Sequence, residues 1–202
     1  MIWESINTKI DPDTKQKVRT RELFLFECPH CGEKNHVVYD TLYHQMEDHI
    51  MIYLAHENIE EVISDLNKVT KHDFDFGEQP TIRIVTDDIR FQEKLRIIDA
   101  GLDDRVIEIM KLMYRTIAKS EVSGEAQNIY FDYDKEGKRF AIQTSDGNNY
   151  QTDFNDQMYD IIKKEYKFLM NNDVSDDHST TEKHAFLSNK RRSLGKTAFP
   201  QN

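Results

Sequence analysis

Between Leu23 and Ala55, apolar and polar positions alternate with the two-residue period of half-buried strands: LFLFEC, then HVVYDTLY, then HIMIYLA. A Cys-Pro-His-Cys-Gly turn separates the first two runs and QMED separates the last two. The pattern predicts a three-stranded antiparallel meander. At Asn58 the period changes, because Asn58-Ile-Glu-Glu61 is an N-cap residue followed three places later by Glu, and Ile59, Val62, Ile63, Leu66 and Val69 then fall on one helical face. The turn-rich run HDFDFGEQP (72 to 80) reads as a loop before a short strand, TIRIV. Two helices follow. Asp87 or Asp88 caps the first, with Phe91, Leu95 and Ile98 on one face and Gly101 as its stop; Asp103 or Asp104 caps the second, with Val106, Met110, Met113 and Ile117 in register.

After SEVSGEAQ (120 to 127) the two-residue period returns in NIYFDYD, KRFAIQT and NYQTDF, joined by Lys135-Glu-Gly137 and Asp146-Gly-Asn148. Asn155 caps a last helix, with Met158, Ile161, Ile162, Tyr166 and Leu169 on its apolar side. From Asn172 the chain is polar and unpatterned and lacks the apolar area to offset the entropy of ordering, so it reads as a disordered tail. The expected organisation is a domain over 1–120, a meander with helix over 121–171 packed on the first, and the tail over 172–202.

Composition narrows the class. With 202 residues, 38% hydrophobic and 32% charged, the chain reads as a globular protein with a real core. It has no run of about 18 apolar residues, so a membrane span is not expected, and the reading is cytoplasmic. A formal net charge of −10 gives nucleic acid a repulsive average field, which disfavours such a partner.

The candidate chemistry is concentrated in FECPHCGEKNH, which holds both cysteines, Cys28 and Cys31. Two cysteines three positions apart, with no sign of export, suit metal ligation or reduced thiols better than a disulfide framework. Two thiolates at this spacing reach one zinc ion at about 2.3 Å across a tight turn. Pro29 sets φ at the start of that turn, and Gly32 takes a positive φ just after it. A zinc ion has four ligands, so the pair is half a site. Three completions are open: cysteines further upstream, a histidine among His30, His36 and His44, or two cysteines from a second chain. Of the histidines, His36 begins the returning strand and is the candidate third ligand. CPHC is also the active tetrapeptide of some thiol–disulfide oxidoreductases, but those place it at a helix N-terminus, whereas GEKNHVVY continues as strand.

The order of elements, with SIN at 5 to 7, DPDTKQKV, LFLFECPHCG and the block EKLRIIDAGLDDRVIEIMKL, resembles the CpXC domain family over roughly residues 3 to 118. The resemblance implies two Cys-Pro-X-Cys motifs and no particular reaction. The chain departs from it before the SIN segment, where Met1-Ile-Trp-Glu4 stands in place of the first pair. A shortened N-terminus is the simplest account and loss of the metal site is the alternative.

Other motifs carry less. Asp132, Asp134 and Glu136 with Gly137 imitate the start of a calcium loop, but Gln143 holds the position of its bidentate carboxylate. Gly195-Lys-Thr197 lacks the earlier glycine of a phosphate loop, and Lys190-Arg-Arg192 is a short basic run of the solubilising kind. His44, His49 and His56 read as surface histidines, and Asp103, Asp104 and Arg105 as a helix start before an acid pair.

These readings converge on an α+β fold: a zinc-ribbon-like antiparallel β unit, a helical hairpin, and a C-terminal three-stranded meander closed by a helix. The expected function is a non-catalytic binding module with a structural zinc half-site at Cys28 and Cys31, a protein partner or a second copy as its binding partner, and no membrane or nucleic acid. The alternative is a thiol–disulfide or metal-dependent enzyme acting through the same two cysteines.

Overall fold

The computed structural model describes residues 4–56, 59–69 and 80–166, which lie within one compact unit, Met1–Lys167. All but Pro80 of the loop expected at 72–80, the tail, and the motifs at 190–197 fall outside the described residues.

The chain is α+β, with three sheets among the described residues. The first has four strands in the order β1 (Glu4–Asn7), β4 (Thr41–Gln45), β5 (Ile50–Leu54), β6 (Thr81–Val85). Here β1 runs parallel to β4, β4 antiparallel to β5, and β5 parallel to β6. Against this sheet pack α1 (Pro12–Arg19) and α3 (Asp88–Asp99), and the core between them is Ile6, Val18, Phe24, Tyr43, Ile52, Leu54, Val85, Phe91 and Leu95. Edge-on aromatic contacts tie it together, Phe24 to Phe91 and Tyr43 to Phe91. The Tyr43 hydroxyl is satisfied inside the core by donating to Gln45 Oε1 at 2.8 Å and accepting from Arg19 Nη1 at 3.0 Å.

Neither β1 nor α1 shows in the hydrophobic pattern. Strand β1 has four residues, and α1 (PDTKQKVR) buries Val18 as its one apolar side chain, so no period can show. The local signal for α1 is its start: Asp11 accepts from the Thr14 amide at 3.1 Å and Pro12 occupies the first turn.

The expected three-stranded meander over 23–55 is divided. The run HVVYDTLY breaks at 37–40, so β3 (Lys34–His36) closes a separate two-stranded hairpin with β2 (Leu25–Glu27), while β4 joins the larger sheet. The break is fixed by Asp40, a buried residue whose carboxylate accepts the His56 amide at 2.6 Å, and by Tyr39, whose hydroxyl donates to the Leu23 carbonyl at 3.2 Å. A side chain bound on the far side of β5 cannot also extend the hairpin.

Helix α2 (Ile59–Val69), β6, α3 and α4 (Asp104–Glu121) stand where the sequence places them, with Asp87 and Asp103 as the caps and Gly101 at φ +67 ending α3. The α4 face is rotated from expectation: Val106, Ile107, Met110 and Ala118 are buried, while Ile117 is exposed.

The third sheet, β7 (Ala126–Asp134), β8 (Gly137–Thr144) and β9 (Asn149–Asp153), is the expected antiparallel meander, followed by α5 (Asp156–Glu165). Its inner face carries Phe131, Phe140 and Phe154 in mutual contact with centroids 5.7 to 5.9 Å apart. In α5 the side chains that turn inward are Tyr159 and Ile162; Ile161, expected on that side, is 62% exposed. Tyr159 wins the place because its ring meets Phe154 and its hydroxyl accepts the Asp103 amide at 2.8 Å. Helix α3 touches both the four-stranded sheet and β7.

Candidate metal centre

The β2–β3 hairpin is an arm. Leu25 pairs with His36, Phe26 with Asn35 and Glu27 with Lys34, and all six residues are exposed. Its turn is closed by the Cys28 amide donating to the Glu33 carbonyl and the Gly32 amide donating to the Cys28 carbonyl, both at 2.8 Å. Gly32 sits at φ +72, and a Cβ there would meet nothing within 4 Å, so the position requires glycine for its backbone conformation and not for space.

This turn brings the two sulfurs together. Cys28 Sγ accepts the amides of His30 and Cys31 and a hydrogen bond from the Cys31 thiol, and these donors hold the Cys28 thiol below its ordinary pKa. Amide donors aimed at one sulfur favour its thiolate, the form that binds metal. A tetrahedron with zinc–sulfur bonds of about 2.3 Å has an edge of about 3.8 Å, the range of a sulfur–sulfur contact. Cys28 and Cys31 are two of the four donors that such a site takes. Cys28 is half-buried and Cys31 exposed, at the far end of the arm from the body.

The candidate histidines are not brought to the pair. His36 lies at the base of the arm, where Nε2 is 3.2 Å from Asp88 Oδ2 and the ring meets Phe24 edge-on at 6.0 Å. Arg21, at φ +63, pairs with the same Asp88 carboxylate, so Arg21 and His36 together anchor the arm to the first turn of α3. His44 belongs to β4 in the other sheet, where burial holds its pKa below the ordinary value. His30 is exposed within the turn. Among the described residues no three of His, Cys, Asp and Glu are grouped to hold a metal ion.

The other candidates resolve into structure. In the calcium-like loop, Arg139 sits among the carboxylates, pairing with both Asp132 and Asp134, and Asp134 is held at a pKa of about 2 chiefly by that hydrogen bond. A guanidinium stands where a cation would. The two acids at the start of α4 have separate partners: Asp103 holds Arg105, and Asp104 holds Arg83 and Lys94.

That last contact belongs to a chain of alternating charges that the motif reading missed. Arg83 donates to Asp104 at 2.7 and 2.8 Å, Lys94 bridges Asp104 at 2.8 Å and Glu108 at 3.4 Å, and Lys111 bridges Glu108 at 3.2 Å and Glu93 at 2.9 Å. Glu93, 3% exposed, then accepts the Phe131 amide at 2.6 Å. The chain runs from β6 through α3 and α4 to β7. Burial opposes the charge on Asp104, but Lys94 and Arg83 hold it far below the usual carboxylate range. For Glu93 burial prevails over Lys111, and its pKa is raised. The signal was available: Asp104, Glu108 and Lys111 are spaced four and three apart, one face of one helix.

Residues 1–111, more than half of the chain, match the family model of the CpXC protein. No curated protein and no solved structure matches the chain at a significant level. No helix among the described residues is long and apolar enough to cross a membrane.

Proposed function

The chain belongs to the CpXC family, and from that premise we propose that it is a non-catalytic binding module whose exposed arm is organised by half of a structural zinc site. The observation that carries this reading is the convergence of Cys28 and Cys31 in one tight turn, with backbone amides aimed at the Cys28 sulfur. Bound there, zinc supplies rigidity: it fixes the turn that joins two three-residue strands. Cys28 and Cys31 hold it, and the remaining donors come with the binding partner. The site pairs no nucleophile with a base, and an arm with both faces in water is a surface for another protein. The acidic total favours a protein over nucleic acid, and reduced thiols suit the cytoplasm.

A second reading has its own observation. The depressed Cys28 thiol beside an exposed Cys31 is also what a thiol–disulfide or metal-assisted enzyme uses. One experiment separates the two. The reduced full-length chain is titrated with Zn²⁺, and alkylation of both thiols and amide exchange over residues 25–37 are followed. The module reading expects zinc to protect both sulfurs and to slow exchange in the arm, with no catalysis of disulfide exchange. Catalytic turnover of a model disulfide by the zinc-free chain would overturn it.

A further inference from the structure

We infer that the joint between α3 and β7 is a proton-operated clasp, in which Glu93 takes up the proton and the outer edge of β7 is the part that loosens when the proton leaves. The inference is independent of what the arm binds. Strand β7 is an outer strand of its sheet, and on its free side the Phe131 amide bonds to a side chain in place of a strand: Glu93 Oε1 accepts it at 2.6 Å. The other carboxyl oxygen, Oε2, accepts from Lys111 Nζ at 2.9 Å. One carboxyl group thus ties α3 to α4 and to β7 at once.

Position in the charge chain selects Glu93 as the proton's place. Asp104 lies between Arg83 and Lys94, and Glu108 between Lys94 and Lys111, but Glu93 stands at the end, where Lys111 is its one cationic partner among the described residues and is shared with Glu108. Glu93 is also the least exposed of the three acids. A carboxylate with the least cationic company and the least water is the costliest to ionise. Burial accordingly pushes Glu93 above its ordinary 4.5 against the pull of Lys111, whereas Asp104 and Glu108, though burial opposes their charge, are drawn down by two cations each. The other charged side chains that join these helices to the strand have partners of their own. Arg96 of α3 pairs with Asp132 of β7, which also holds Arg139 of β8, and Arg115 of α4 donates to the Gln127 carbonyl.

The direction follows from linkage. The closed joint holds the proton at pH values where an open, hydrated Glu93 has released it, so closing takes up a proton and rising pH favours opening. The opening is local. Loss of the Glu93 contact frees the Phe131 amide and the β7 edge, while the pairing of Tyr130 with Ala141 in the β7–β8 ladder does not involve Glu93. All six charged side chains of the chain lie within residues 1–111, the part that matches the family, and the strand they hold begins at Ala126. The clasp therefore couples a proton bound by the family domain to the sheet that follows it.

The test follows the full chain by NMR over a pH series, recording the Glu93 carboxyl shift and the exchange protection of the Phe131 amide, corrected for the intrinsic pH dependence of exchange. Glu93 is expected to titrate above 4.5. Phe131 protection should fall from that ordinary value up to the Glu93 midpoint, by at most about tenfold per pH unit, the limit for one proton, and level off above it. Protection of Tyr130, inside the ladder, should fall less. Glu93→Gln keeps an acceptor for the amide and has no proton to lose, so the fall at Phe131 disappears. Lys111→Met removes the cation, raises the Glu93 midpoint and extends the fall to higher pH. A Glu93 that titrates at or below 4.5 overturns the clasp. So does a fall at Phe131 that persists in Glu93→Gln, or one matched in steepness at Tyr130, which would mark the loss of the whole sheet.

Discussion

The two antiparallel hairpins of this chain are opposites. In the β7–β8 hairpin Ile129, Phe131, Phe140, Ile142 and Thr144 alternate with less buried neighbours, and Phe131 and Phe140 meet Phe154 to make a core of their own. In the β2–β3 arm all six strand residues are exposed, and order is imposed from the ends: the Cys28–Gly32 turn at one, the Arg21–Asp88–His36 anchor at the other. A two-stranded hairpin without packing is marginal in water. The difference teaches that one hairpin is ordered by what it buries and the other by what holds its ends. The C-terminal sheet has a core of its own, and the arm, on the proposed reading, is a binding surface.

The comparison breaks most decisively at Phe131. It is fully buried among Phe140 and Phe154, so Phe131→Ala removes both area and contacts and should cost about 3–5 kcal/mol of unfolding free energy. Urea unfolding of the full chain measures this. A cost below about 1 kcal/mol would mean that the C-terminal sheet is no more a core than the arm is.

The charge chain tests how the two parts are joined. Glu93 is raised above its ordinary 4.5 by burial, so the folded state holds its proton at pH values where the unfolded chain has released it. The sign follows: its contribution is fully present below the ordinary value and is lost as pH rises through the raised one. The slope is at most about 1.4 kcal/mol per pH unit. Urea midpoints of the wild type should fall over that window, and Glu93→Gln, which can still accept the Phe131 amide, should flatten the fall. An unchanged slope in the variant would remove Glu93 from the account.

Legibility in the sequence followed the same division. The third sheet was readable because its inner face alternates strictly, as in Ile129, Phe131 and Phe140, Ile142, and its turns carry Gly137 and Gly147. The helix caps at Asp87, Asp103 and Asn155 were readable because a short polar side chain before an apolar period has one common use. The division of HVVYDTLY was not, since it depends on Asp40 meeting His56 and Tyr39 meeting Leu23, contacts 16 residues apart. The same limit applies to His36: its place at the start of the returning strand suggested a ligand, and its partner Asp88 lies in α3, 52 residues further along the chain. The Cys28–Cys31 turn was legible because its geometry is local, set by Pro29 and Gly32.

Smaller effects sharpen the contrast at that turn. Gly32→Ala forces an L side chain to φ +72, at a cost of about 1–2 kcal/mol that falls on the arm. Amide exchange over residues 25–37 should accelerate, while the urea midpoint of the whole unit stays close to wild type, because the arm contributes little to the core. A large loss of global stability would show that the turn is coupled to the body.

The smallest expected change is the most informative about purpose. Phe26 is an aromatic residue, the type most costly to remove from a core, yet it stands 56% exposed on a strand with water on both faces. If the arm is a presenting surface, Phe26→Ala leaves the unfolding free energy within about 0.5 kcal/mol of wild type, roughly a tenth of the cost at Phe131. The same pair of substitutions, one aromatic in each hairpin, should then invert when association is read in place of unfolding. Phe26→Ala should weaken binding of a protein partner to the arm, and Phe131→Ala should leave it unchanged wherever the chain remains folded. A Phe26→Ala chain that loses stability as Phe131→Ala does would place that ring in the core, and the distinction between the two hairpins would be gone.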